Sequence, residues 1–340
     1  MSGLQKSLLT FITFTLFSTP LLASNEVNLY SARKEALIKP LLDKFTGQTG
    51  IKVNLVTGKA KALLKRLQSE GRNTPADILL TVDAGNLHAA KLAGLLQPLD
   101  NTILKDAMPE NLRDPEGYWY ALSARSRVIV YSKERVTASE LSSYEDLVNP
   151  KWQGRICIRS SGNIYNQSLL SSLIAHHGIA KAEAWAKAIV ANMAQSPKGN
   201  DRAQVKAVAV GVCDIAVVNT YYMGVMLQKD ASQQKAASKV AVFFPNQSNR
   251  GAHINISGAG LIKGAKHKAN AIKLLEFLVS DEAQEWYAQA NHEYPVKPGI
   301  PVSPIVKAWG YPFKQDGLHV GELGKHNAEA VRVFDRAGWK

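Results

Sequence analysis

Val27-Asn28-Leu29-Tyr30, Ile51-Lys52-Val53-Asn54-Leu55-Val56 and Ile78-Leu79-Leu80-Thr81-Val82 are three short apolar stretches, and what lies between them decides the fold. The first reads as a strand. The second alternates with period two, and the third is a near-continuous apolar run after Pro75, the pattern of a strand buried on both faces. Leu37, Leu41 and Phe45 recur at helical spacing between the first two, and Gly50 closes that helix. Residues 59–70 carry Leu63, Leu64 and Leu67 on one side of a second helix. Strand–helix–strand–helix–strand predicts a mostly parallel sheet flanked by helices. Ligands of such sheets sit beyond the carboxyl ends of the strands, which points to the loops after Tyr30, Val56 and Val82.

Working outward, residues 119–131 alternate over a length unusual for one strand and follow the turn at 115–117. If extended, they place Ser123, Arg125 and Arg127 on one face, as in a strand crossing between two lobes. A second set of elements follows. Residues 156–158 and 215–218 read as strands, about 164–176 and the surroundings of Trp185 as helices. Residues 240–244 and 254–262 read as strands returning to the first lobe, helical segments at 267–290 close it, and the tail from Pro301 is expected on the second lobe. The expected class is therefore α/β with two lobes, each a mixed sheet flanked by helices, and a hinge between them. The N-terminal lobe takes 24–124 and 249–301, the C-terminal lobe 125–248 and 302–340. Two crossings suit closure around a ligand.

A chain of 340 residues is long enough for two such cores. Residues 1–23 differ from the rest: Lys6, an apolar run with Phe11, Phe14, Leu16 and Phe17, then small Ala23 and Ser24. That order is a secretory signal peptide, and the run is short for a membrane span. The mature protein is expected in the periplasm. The formal charge of +13 is spread along the chain without a dense or aromatic-interleaved cluster, which argues against nucleic acid and for an anionic ligand or surface. Cys157 and Cys213 are an even pair in an oxidising compartment, read as a disulfide.

Several residues can carry chemistry. Asn219-Thr220-Tyr221-Tyr222-Met223-Gly224 ends an apolar strand. Its paired phenols are either packing aromatics or ligands of a hard cation strong enough to ionise them. Arg159-Ser160-Ser161-Gly162-Asn163-Ile164-Tyr165 joins a strand to a helix. Its amides suit an anion, and Tyr165 is either a core residue on the face of Leu169 and Leu173 or a third phenol donor. Arg33, in Tyr30-Ser31-Ala32-Arg33-Lys34-Glu35, and Arg125 can each clamp an oxyanion bidentately. His176-His177 ends a helix, where positive charge suits the dipole. Asp77 and Asp83 flank a strand as turn and cap residues or, on another reading, as a hydrolytic carboxylate pair.

These strings, with Pro75-Ala76-Asp77-Ile78 and Phe243-Phe244-Pro245-Asn246-Gln247, resemble the periplasmic ferric-iron-binding proteins of ABC transporters, a transferrin-like branch of the type II solute-binding fold. The resemblance spans the mature chain. It implies that Tyr165, Tyr221 and Tyr222 ligate Fe³⁺ as phenolates, three charges against three. It also implies a carbonate or bicarbonate anion held by Arg33, Arg125, Lys34 and the turn at Ser161 and Gly162. Where branches of the family carry His, or His then Tyr, this chain has Lys34-Glu35; an ammonium cannot ligate while protonated, and Glu35 is the one added oxygen donor available there. The implied protein is a monomeric carrier, not an enzyme, delivering iron to an inner-membrane permease. The alternatives are a carrier of an oxyanion or other small solute, and a secreted hydrolase.

Overall fold

A computed structural model describes residues 25–340, so the leader expected at 1–23 lies outside the described residues. β1 (Glu26–Ser31), α1 (Lys39–Thr49), β2 (Lys52–Thr57), α2 (Ala60–Glu70) and β3 (Ile78–Val82) follow one another, and β1 lies parallel between β2 and β3. Helix α1 stops at Gly50, whose φ of 69° is open to glycine and whose N–H donates to Thr46 O. It buries Leu41, Leu42 and Phe45 against the sheet, and α2 buries Leu63 and Leu67. Asp83 then caps α3 (Ala84–Leu92), its side chain accepting from Gly85 N–H; the short α4 (Thr102–Asp106) follows.

The crossing strand is β4 (Tyr120–Ser132). Residues 120–126 pair antiparallel with β8 (Ile254–Leu261), which in turn pairs with β3. Residues 127–132 pair instead with β6 (Ile215–Asn219) and β7 (Val240–Phe243). One strand thus belongs to two mixed sheets, and the junction falls at Ser126-Arg127. Around the second sheet stand β5 (Ile156–Cys157), α5 (Ile164–His177), α6 (Ile179–Asn192), α7 (Asp201–Ala209), α8 (Thr220–Leu227) and α9 (Ala231–Ser238). A disulfide joins Cys157 of β5 to Cys213, just before β6. A core of Ile129, Tyr144, Trp152, Leu170, Trp185, Val217, Phe334 and Trp339 lies on one face of this sheet, while Val128, Val130 and Val218 join the larger core that runs on from the first lobe.

One expectation is corrected. Residues 240–244 do not return to the first lobe: β7 stays in the second sheet against Ile129–Ser132, and only β8 goes back. Alternation fixes which face of a strand is buried, not which sheet it joins. The helical segments expected at 267–290 are α10 (Lys268–Leu278) and α11 (Asp281–Ala290), separated where Ser280 turns extended and its side chain caps the second. The tail forms α12 (Pro304–Ala308), α13 (Gly321–Lys325) and α14 (Asn327–Ala337). Helix α14 packs on α5 and α6, while α13 touches both α3 and α5. Among the described residues no helix is long and apolar enough to cross a membrane.

Candidate functional site

Tyr165 opens α5, and Tyr221 and Tyr222 open α8, so all three phenols leave the first turns of helices that follow second-lobe strands. Asn163 caps α5 through Tyr165 N–H at 3.1 Å, which fixes that turn. The three rings meet. Tyr221 Oη donates to Tyr165 Oη at 3.3 Å, and the Tyr221 and Tyr222 centroids lie 4.4 Å apart. They line one cavity of about 510 Å³ whose opposite wall is Ala32, Arg33, Lys34 and Val82 of the first lobe, with Arg125 from the crossing strand. Burial pushes the Tyr221 hydroxyl well above the usual phenol range, reinforced by the neighbouring Tyr165 and Tyr222 and opposed by Arg125. Tyr222 is raised for the same leading reason. Without a strong cation these hydroxyls stay protonated.

Both predicted arginines reach this cavity, and both already have partners. Arg33 is buried and pairs with Glu293, and it donates to Ser257 Oγ at 3.1 Å. Arg125 donates to Ile256 O at 2.7 Å and to Ser257 Oγ. Burial would lower the Arg33 pKa, but Glu293 more than offsets it and raises it. Each guanidinium leaves a buried Nε without a partner. Exposed Lys34 and Lys229 and half-buried Arg202 stand on the cavity wall, the Arg202 guanidinium 5.3 Å from the Tyr222 ring centroid.

A buried charge cluster underlies Tyr165. Asp201 accepts from Arg159 at 2.6 Å and from Arg127 at 3.2 Å, and the two guanidinium carbons lie 5.6 and 6.0 Å from the Tyr165 ring centroid. Two cations thus stand against one carboxylate beside the Tyr165 ring.

Other predicted residues are elsewhere. Ser161 and Gly162 are not in this cavity. They line a separate interlobe pocket with Lys61, Asn86 and Asn327, and their amides are taken by Lys340 O at 3.1 Å and Ser160 Oγ at 3.2 Å. The turn after so short a strand faces away from the phenols, which spacing does not reveal. Glu35 sits exposed in a single 3₁₀ turn and is absent from the cavity wall. Asp77 accepts from Asn28 N–H at 2.8 Å and His267 N–H at 2.9 Å, and Asp83 is the cap of α3, so neither faces the cavity as a carboxylate pair. His176 and His177 pair with Asp316 and Glu145. Among the described residues no group of three or more His, Cys, Asp or Glu is placed to hold a metal ion. Glu293, Arg202 and Asp201 were not anticipated: no local pattern marks them, and only tertiary folding brings them here.

Comparison with known proteins adds to this geometry. Residues 73–308 match the family model described as bacterial extracellular solute-binding protein. "Iron uptake protein A1" of a Synechocystis strain is 49% identical over 93% of this chain and 88% of its own length. "Fe(3+)-binding periplasmic protein" of Serratia marcescens is 32% identical over 93% of this chain and 91% of its own length. A solved Trichodesmium protein (IdiA, FutA) in complex with iron and citrate ligands superposes with a TM-score of 0.90 at 51% identity, covering 93% of this chain and 100% of that one.

Proposed function

We propose, from the premise that this chain belongs to the bacterial extracellular solute-binding protein family, that it captures ferric iron in the interlobe cavity and delivers it to an ABC transporter permease. The protein is a carrier, not an enzyme. The observation that carries the metal assignment is the convergence of Tyr165, Tyr221 and Tyr222 on one cavity, two of their hydroxyls 3.3 Å apart. Burial disfavours phenolate, so only a cation of high charge can displace these protons; Fe³⁺ is a hard acid that prefers anionic oxygen. Three phenolates balance it.

The remaining positions on the metal go to an anion. Arg33, Arg125 and Lys34 are the residues that would hold it, with Arg202 and Lys229 adding positive charge. A carbonate or bicarbonate fits this reading, and a cavity of about 510 Å³ also has room for a polycarboxylate such as the citrate bound by the Trichodesmium protein. The turn at Ser161 and Gly162 drops out of the anion site. We place the mature protein in the periplasm, as a monomer. Its lobes meet at Ser126-Arg127 of β4, where the two sheets diverge.

A carrier of an oxyanion or other small solute, using Arg33, Arg125 and Lys34, is the second reading. It is weakened because Glu293 already neutralises one of the two guanidiniums. Titration calorimetry separates the two: ferric citrate should release heat and protons, while sulfate and phosphate without iron should bind weakly. Tight binding of iron-free phosphate or sulfate, with none of ferric citrate, reverses the assignment.

A further inference from the structure

We infer that His292 is a positioning residue that locks the helix bearing Tyr221 and Tyr222 to the segment that holds Arg33, and that Gly224 is glycine to admit it. The inference rests on the reading of those tyrosines as ligands. His292 is fully buried and adopts a φ of 54°, a left-handed conformation that is strained for a histidine unless its surroundings enforce it. The surroundings do so at both ring nitrogens. Nδ1 lies 2.9 Å from Ser303 Oγ, and Nε2 lies 2.9 Å from Oε1 of Gln228, the residue that ends α8.

Between these tethers the ring rests on Gly224, two residues past Tyr222. A Cβ at 224 would stand 2.5 Å from His292 Cγ, 2.6 Å from Cδ2 and 2.7 Å from Cβ. Those are the base and root of a tethered ring, not the end of a flexible chain, so neither partner can give way cheaply.

The residues on either side are tied to the first lobe, to which they belong. Asn291 Nδ2 donates to Leu37 O at 3.2 Å, and Glu293 pairs with Arg33 and accepts from Ser123 Oγ at 2.9 Å. Three consecutive residues thus connect the arginine side of the cavity to the tyrosine side, and His292 is the link to α8. Metal sites tolerate about 0.5 Å of error in their ligands. Moving a Cβ from 2.5 Å out to ordinary contact at 3.4 Å calls for a displacement of about 0.9 Å, above that tolerance if α8 takes it.

The test compares G224A, H292A, H292G and the double variant G224A/H292G with Y165F, all loaded with ferric citrate. Visible charge-transfer absorbance and iron retention against a competing chelator are read, with circular dichroism to confirm folding. We expect G224A to hold iron at least tenfold more weakly with a shifted band. H292A should shift the band less, and G224A/H292G should match H292G, because only glycine at 292 removes the Cβ that would otherwise still stand 2.7 Å from the new methyl. A folded G224A with the parent band and retention overturns the inference, as does a double variant showing the sum of the single losses. If G224A fails to fold, H292A decides: an unmoved band and unchanged retention refute the role. A Y165F protein that keeps the parent band refutes the ligand assignment itself, whereas a bleached Y165F beside unchanged G224A and H292A refutes only the role of His292.

Discussion

Asp201→Asn keeps the size of a fully buried side chain and removes its charge. The carboxylate opens α7, where it suits the positive end of the helix, and accepts from Arg159 at 2.6 Å, Arg127 at 3.2 Å and Asn219 N–H at 3.2 Å. Removing one member of a buried ion cluster costs about 3–5 kcal/mol, because the opposite charge is left uncompensated. Two features set the low end of that range here. Arg159 keeps 18% side-chain exposure and can turn toward water. Arg127 retains Asn166 Oδ1 at 2.6 Å and Val217 O at 3.1 Å. We therefore expect D201N to lose about 3 kcal/mol, read as a lower midpoint in urea unfolding of the iron-free protein. Both guanidiniums flank Tyr165, so the same variant should also shift the ferric charge-transfer band. A midpoint within about 1 kcal/mol of the parent would refute the view that this cluster is balanced through Asp201.

Three further outcomes are expected. Burial, with Arg127 and Arg250 nearby, pushes His253 down to about 3, below its unfolded value of roughly 6.5. Its contribution is full above pH 6.5 and is lost toward pH 3 at about 1.4 kcal/mol per pH unit, so H253Q should flatten the acid limb of a urea-midpoint-versus-pH curve; an unchanged slope contradicts this. Opening the Cys157–Cys213 bridge, which spans 56 residues, should cost about 4 kcal/mol by chain entropy, and equal melting of parent and C157A/C213A would count against that value. E293Q should destabilise the iron-free protein, and sulfate should restore more of the loss than it adds to the parent, since Arg33 is freed for an outside anion; identical gains in a melting series argue against an anion site at Arg33.

The first three strands and the crossing strand are legible because local rules determine them. Gly50 stops a helix, Pro75 precedes an apolar run, and residues 119–131 alternate for longer than one sheet needs. The tyrosines are legible in part. Their placement after strands points to a ligand-facing edge, but only the family resemblance links Tyr165 to a pair 56 residues away. What stays hidden depends on long-range packing. The sheet that β7 joins, the direction in which the Ser161-Gly162 turn faces, and the arrival of Glu293 at Arg33 have no periodic or capping signature. Gly224 looks like an indifferent helix glycine until the His292 ring is found against it.

The most direct measurement is visible absorbance of the mature protein titrated with ferric citrate, repeated with Tyr165, Tyr221 and Tyr222 changed singly to Phe. Three phenolates on one ferric ion predict a coloured species saturating at about one iron per chain, bleached or shifted by each substitution while the fold persists. A parent protein that stays colourless, or a colour indifferent to all three substitutions, contradicts the account.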